Sequence, residues 1–173
     1  MKKIIVIGCP GSGKSTLSKK LHKIMQFPLY HLDLMFWNSD KTNVGREVLV
    51  EKTKAIFKND SWIIDGNYGS TMELRMQKCD TVIFLDYDVN VCLDGIKSRQ
   101  GKFRSDMPWI SSKEDETEFI EYIKNYNVDS RPKVLCLLEK YKEKNIVILK
   151  NRLQAEEFLT KIKRRFYGRE KAR

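Results

Sequence analysis

The segment Gly8-Cys9-Pro10-Gly11-Ser12-Gly13-Lys14-Ser15 constrains this chain more than any other. It follows the apolar, β-branched run Ile4-Ile5-Val6-Ile7 and precedes residues 15–25, where Leu17, Leu21 and Ile24 recur at helical spacing. Strand, glycine loop and helix in that order fit the phosphate-loop pattern G-x-x-x-x-G-K-[ST]. The chemistry demands these residue types. Glycines let successive backbone N–H groups converge on phosphate oxygens with no side chain in the way. The helix that follows turns its positive end toward the same anion. On this reading Gly8, Pro10, Gly11, Ser12, Gly13, Lys14, Ser15 and Thr16 form a nucleotide cradle. Lys14 reaches the β- and γ-phosphates, and the Ser15 hydroxyl ligates Mg²⁺.

The rest of the chain repeats the alternation. Strands are predicted over 29–32, 62–64, 81–85 and 146–149, and helices over 47–58, 71–78, 89–99 and 155–165, with Asp88 as a helix cap. This rhythm builds an α/β fold with a parallel sheet and right-handed crossovers. Its 173 residues suit one domain. Residues 100–131 break the rhythm: Gly101, Lys102 and Arg104 come first, then Pro108-Trp109, then an acidic helix over 113–125. An insertion of this length is either a lid or an ordinary helical excursion. Asp65 closes the third strand as Trp62-Ile63-Ile64-Asp65-Gly66. A carboxylate there holds a magnesium-bound water beside Ser15, or else it is a turn aspartate before glycine; the phosphate loop favours the metal role.

The phosphate loop, residues 62–66, the strand at 80–85 with its helix, and the insertion after Arg99 resemble the adenylate-kinase-like group of small P-loop kinases. Within it, His31-Leu32-Asp33, Trp37, Asp65-Gly66-Asn67-Tyr68, Arg75 and Phe84-Leu85-Asp86 resemble the branch labelled "topology modulation protein". The resemblance implies a P-loop NTPase fold: three layers, α/β/α, with a five-stranded parallel sheet in the order 2-3-1-4-5 and a helical lid. It also implies ATP as donor, with GTP the alternative, and Mg²⁺. Adenylate kinases follow their Asp-Gly with Phe-Pro-Arg. That arginine falls on Gly69 here, which leaves Arg75 as the substitute for holding an acceptor phosphate. The family's Arg-x-x-x-Arg before the lid becomes Gly95 and Arg99. A nucleoside monophosphate held in the adenylate-kinase manner is therefore not expected.

Shikimate and gluconate kinases, which also resemble the chain, use an aspartate at the position of Asp33 to orient or deprotonate a substrate hydroxyl. His31 polarises the same hydroxyl or is structural. Trp37, Asn67 and Tyr68 wall the acceptor pocket, or the two rings are ordinary core aromatics. Arg99, Arg104 and Arg131 bracket the insertion, where lid arginines neutralise charge on the transferring phosphoryl group. The alternative for each is a solvated surface charge.

The net charge of +10 is uneven. Residues 161–173 carry seven positive and one negative charge, hence +6, which leaves +4 for the rest. This tail reads as a solvated helix face with Ile162 and Phe166 inward, or as a nonspecific nucleic-acid contact. The second option defines the rival reading, a nucleic-acid-associated P-loop protein that binds or hydrolyses ATP. With 41% hydrophobic residues, disorder of the whole chain is excluded. No run approaches the ~20 apolar residues of a membrane span, and four apolar residues before Gly8 are too few for a signal-peptide core. Cys9, Cys79, Cys92 and Cys136 form no Cys-x-x-Cys pair and are expected to be reduced. The expectation is a cytoplasmic monomer or homodimer that binds a nucleotide and an acceptor whose identity the sequence leaves open.

Overall fold

Five parallel strands form one sheet in the order β2-β3-β1-β4-β5, the order implied by the family resemblance. They are β1 (Lys3–Gly8), β2 (Leu29–His31), β3 (Trp62–Asp65), β4 (Thr81–Leu85) and β5 (Asn145–Leu149). The computed structural model describes residues 1–110 and 112–170. Among the described residues eight helices surround the sheet: α1 (Lys14–Met25), α2 (Leu32–Phe36), α3 (Arg46–Ile56), α4 (Gly69–Lys78), α5 (Val89–Lys97), α6 (Lys113–Asp129), α7 (Arg131–Lys140) and α8 (Arg152–Glu170).

Side-chain alternation on the strands makes the layers. Ile4, Val6, Ile63, Ile83 and Leu85 face a core shared with Leu17 and Leu21 of α1, Ile96 of α5, Ile123 of α6 and Leu159 of α8. Ile5, Ile7, Ile64, Val82 and Phe84 face the opposite core, shared with Leu49 of α3, Met72 and Met76 of α4, and Val134 and Leu138 of α7. A strand covered on both faces must be apolar throughout, which is why β1 reads as an unbroken β-branched run. Each such aliphatic side chain, fully buried, contributes about 1.5–3 kcal/mol.

Three boundaries differ from expectation. β2 ends at His31, and Leu32 begins a helix instead of continuing the strand. Leu32 is fully buried, and Gly66 passes so close that a Cβ there would lie 2.9 Å from the Leu32 Cβ. Asp33 therefore stands in the first turn of α2 and not at a strand end. α7, which the sequence reading missed, starts with Pro132 in its first turn. Proline is tolerated there because the missing N–H has no helical partner anyway. α8 runs well past residue 165. Asp88 caps α5 as expected, its carboxylate accepting from the Asn90 N–H at 2.8 Å.

Ile162 is buried and the Phe166 ring meets Phe27 edge-on at 6.1 Å. Lys161, Lys163, Arg164 and Arg165 face solvent, while Lys171 and Arg173 of the basic tail lie outside the described residues. No described helix is long and apolar enough to cross a membrane.

Candidate active site

Because every strand is parallel, all five carboxyl ends open on one edge of the sheet. In open α/β sheets that edge is where ligands bind. The loop after β1 turns through positive φ at Gly8, Gly11 and Gly13 (148°, 82° and 92°), a conformation glycine adopts without penalty. Gly13 then caps α1, and Lys14 begins it. The Lys14 ammonium folds back on the loop, donating to the carbonyls of Gly8 and Cys9 at 2.9 and 3.1 Å. Burial holds its pKa below the usual lysine value, against the pull of Asp65 and Asp33. The Ser12 hydroxyl is buried and has no hydrogen-bond partner among the described residues. A ring of N–H dipoles, a constrained cation and an orphaned hydroxyl together fit a phosphate.

α5 packs on this loop without an intervening side chain. A Cβ on Gly95 would lie 2.0 Å from the Gly11 carbonyl oxygen, and one on Gly11 would lie 2.0 Å from the Cys92 carbonyl oxygen. This explains the absent family arginine, since no side chain fits at position 95. Gly95→Ala is expected to lower the melting temperature by roughly 5–10 °C, because the clash is with backbone that cannot rotate away. Scanning calorimetry checks this; an unchanged melting temperature would contradict the contact.

The register between β2 and β3 sets His31 opposite Asp65. Their side chains meet, with Nδ1 of His31 2.7 Å from Oδ2 of Asp65. A carboxylate only accepts, so the imidazole donates. One turn further, Asp33 accepts from the Tyr68 hydroxyl at 2.8 Å. Tyr68 adopts φ 22°, costly for a bulky residue, and this strain aims the phenol at Asp33. Burial raises the Asp33 pKa, the Tyr68 hydrogen bond opposes that, and the nearby Asp65 charge adds to it.

These groups line one cleft of about 890 Å³. Pro10, Gly11, Ser12, Gly13, Lys14, Ser15 and Thr16 form its floor, with Asp33, Trp37, Asp65, Asn67, Tyr68, Arg99 and Arg104 around it. Four expected site residues are not brought to its surface. His31 faces Asp65 and serves it from behind. Arg75 is fully buried. Its guanidinium donates to the carbonyls of Gly66, Asn67 and Tyr68 at 2.8, 2.7 and 3.2 Å and to Thr71, and burial lowers its pKa to about 10. It therefore ties down the loop after β3, and its burial keeps it from the surface of the cleft. Arg131 opens α7 and makes a two-pronged pair with Asp86, at 2.7 and 2.8 Å. Arg131→Ala is accordingly expected to cost about 2 kcal/mol of stability by removing two charged hydrogen bonds from the buried Asp86 carboxylate, which keeps Lys150 as a partner. The rate is expected to stay unchanged; a rate loss without unfolding would restore the lid role. Gly8 lies beneath the cradle, its N–H held by Asn67 Oδ1 at 3.0 Å.

No protein-family model matches the sequence, and neither does any curated protein. Solved structures do match. Shikimate kinase from Bacteroides thetaiotaomicron is 17% identical, with 92% of this chain and 94% of that chain covered and a TM-score of 0.56. Shikimate kinase from Acinetobacter baumannii, in complex with shikimate, is 13% identical, with 98% and 94% covered and a TM-score of 0.60. The chain has their fold.

One cleft residue escaped the sequence reading. Asp106, in the insertion, is buried and accepts from Lys19 at 3.1 Å and from Arg104 at 2.5 Å. Burial opposes its charge, but hydrogen bonds from Arg104, Lys19 and Ser15 more than reverse this and hold its carboxyl far below the usual carboxylate range. No periodicity surrounds Asp106, and only the fold brings α1 and the insertion together.

Proposed function

We propose that this protein is an ATP-dependent phosphotransferase acting on a hydroxyl group of a small molecule, with GTP the alternative donor. The observation that carries the reading is the convergence of Lys14 and Asp33 on one cleft, close enough for each charge to act on the other. A phosphate cradle alone binds a nucleotide; a half-buried carboxylate lining the same cleft supplies a proton acceptor. Both structural neighbours bear the name shikimate kinase, which supports a small-molecule acceptor. The finer likeness to the topology modulation branch rests on His31-Leu32-Asp33, Trp37, Asp65-Gly66-Asn67-Tyr68, Arg75 and Phe84-Leu85-Asp86.

In this reading the loop N–H groups and Lys14 hold the β- and γ-phosphates. Ser15 and Asp65 hold Mg²⁺, which when bound neutralises charge on the phosphates. His31 fixes the Asp65 carboxylate by hydrogen bonding. Asp33 accepts the proton of the acceptor hydroxyl as its oxygen bonds to the γ-phosphorus. The bond from that phosphorus to the β–γ bridging oxygen breaks, and the nucleoside diphosphate leaves with the electron pair. Arg99 and Arg104 stabilise the charge that spreads over the equatorial oxygens. The test is calorimetric titration with ATP, with and without Mg²⁺. Binding that requires the metal is expected; no binding overturns the reading.

A further inference from the structure

The acceptor end of the cleft has a charge pattern that selects its ligand, if the phosphotransferase reading above holds. An anionic acceptor needs a cation there, and the candidates are already engaged. Arg75 is fully buried against backbone carbonyls. Arg104 pairs with Asp106, as does Lys19; Lys20 pairs with Glu156, and Arg152 of α8 lies near Tyr87 and Cys92 and not among the charges that act on Asp33. Lys14 and Arg99 serve the donor's phosphates in the proposed reaction. What faces the acceptor is acidic and aromatic: the Asp33 carboxylate, the Tyr68 phenol and the Trp37 indole, the Asp65 charge being taken up by His31 and, in the proposed reaction, by Mg²⁺. Trp37 and Tyr68 line the cleft, and neighbouring rings hold them in place. Phe36 meets Trp37 and Tyr68 edge-on at 5.0 and 5.1 Å, and Trp109 meets Trp37 at 5.6 Å. The faces of two fixed rings favour a flat ligand, including a cationic one.

We propose that the acceptor is an uncharged or cationic hydroxyl compound with a flat face, of the nucleoside or hydroxymethyl-heterocycle class, and that carboxylates and phosphomonoesters are rejected. The rejection is electrostatic. A second anion placed beside Asp33 meets like charge at short range, and one uncompensated contact of this kind discriminates by about 100-fold or more. Asp106 is a positioning residue in this scheme, because it holds the Arg104 charge away from the acceptor.

The test has two stages. Calorimetry with Mg²⁺ and ATP comes first; failure to bind overturns the phosphotransferase reading itself, and this inference with it. Transfer of labelled γ-phosphate is then measured to adenosine, cytidine, thymidine and pyridoxine against AMP, CMP, TMP and shikimate. The expected result is a kcat/KM at least about 100-fold higher for a neutral compound than for the anions. Asp106→Asn, checked for retained binding of the Mg²⁺–ATP complex, is expected to narrow that gap by about tenfold or more, since it frees Arg104. A structural role for Asp106 would lower both activities together. Comparable transfer to an anion, or donor binding with no transfer to any neutral compound, overturns the inference and leaves the donor site standing.

Discussion

Lys14→Ala is expected to slow phosphoryl transfer by about 10³-fold or more while the protein stays folded. The ammonium is the one loop cation whose position is fixed by two carbonyls, and a phosphate group would replace those carbonyls as its partner. In the ligand-free protein the same group opposes folding. Its pKa is lowered by burial, so the unfolded chain binds the proton more tightly. That destabilisation is fully present below the folded pKa and fades as pH rises toward the ordinary lysine value. At neutral pH Lys14→Ala should therefore keep or raise the melting temperature of the free protein. Addition of Mg²⁺ and ATP should stabilise the parent protein and not the variant. Stopped-flow or steady-state rates and thermal melts read both effects. A variant within tenfold of the parent rate would mean that Lys14 does not serve the transferring phosphate.

Asp33→Asn is the second large effect. Transfer should fall by about 10²–10⁴-fold, the range of a lost general base, with affinity for the Mg²⁺–ATP complex preserved. The substitution keeps the oxygen that accepts from Tyr68, so the local geometry should survive. The Asp33 pKa is raised in the folded protein, chiefly by burial. Activity should rise with pH through a value above the usual carboxylate range, and that limb should vanish in Asp33→Asn. The stability consequence has the opposite sign. The folded state binds this proton more tightly, so stability declines as pH rises from the unfolded value of ~3.9 through the folded one. Asp33→Asn should therefore be at least as stable as the parent at neutral pH. A flat pH–rate profile in the parent would remove Asp33 from the proton path.

The phosphate loop and the sheet were legible because both are local. Ile4–Ile7 and Gly8–Ser15 carry their own periodicity and turn chemistry, and the alternation of strands with helices fixes the fold class. The aspartate after Ile64 was legible for the same reason. What escaped depends on contacts distant in sequence. Arg75 and Arg131 look alike in a sequence; only the positions of Gly66, Asn67 and Asp86 make one a loop clamp and the other a partner of β4's end. Asp106 depends on Lys19, far away along the chain. Leu32 has strand composition, yet the close passage of Gly66 turns it into the first residue of a helix. α7 carries Val134 and Leu138 at helical spacing, a short signal that passed unread beside the longer insertion.

The bare contact between Gly11 and α5 has a mechanical consequence. Side chains act as springs between backbones, since they change rotamer before the main chain moves. Here that spring is missing. α5 meets the loop through Cys92 and Gly95, and two residues beyond its end Arg99 leads into the insertion. Loop and helix therefore share one backbone surface, and any change in the position of one has to be met by the other.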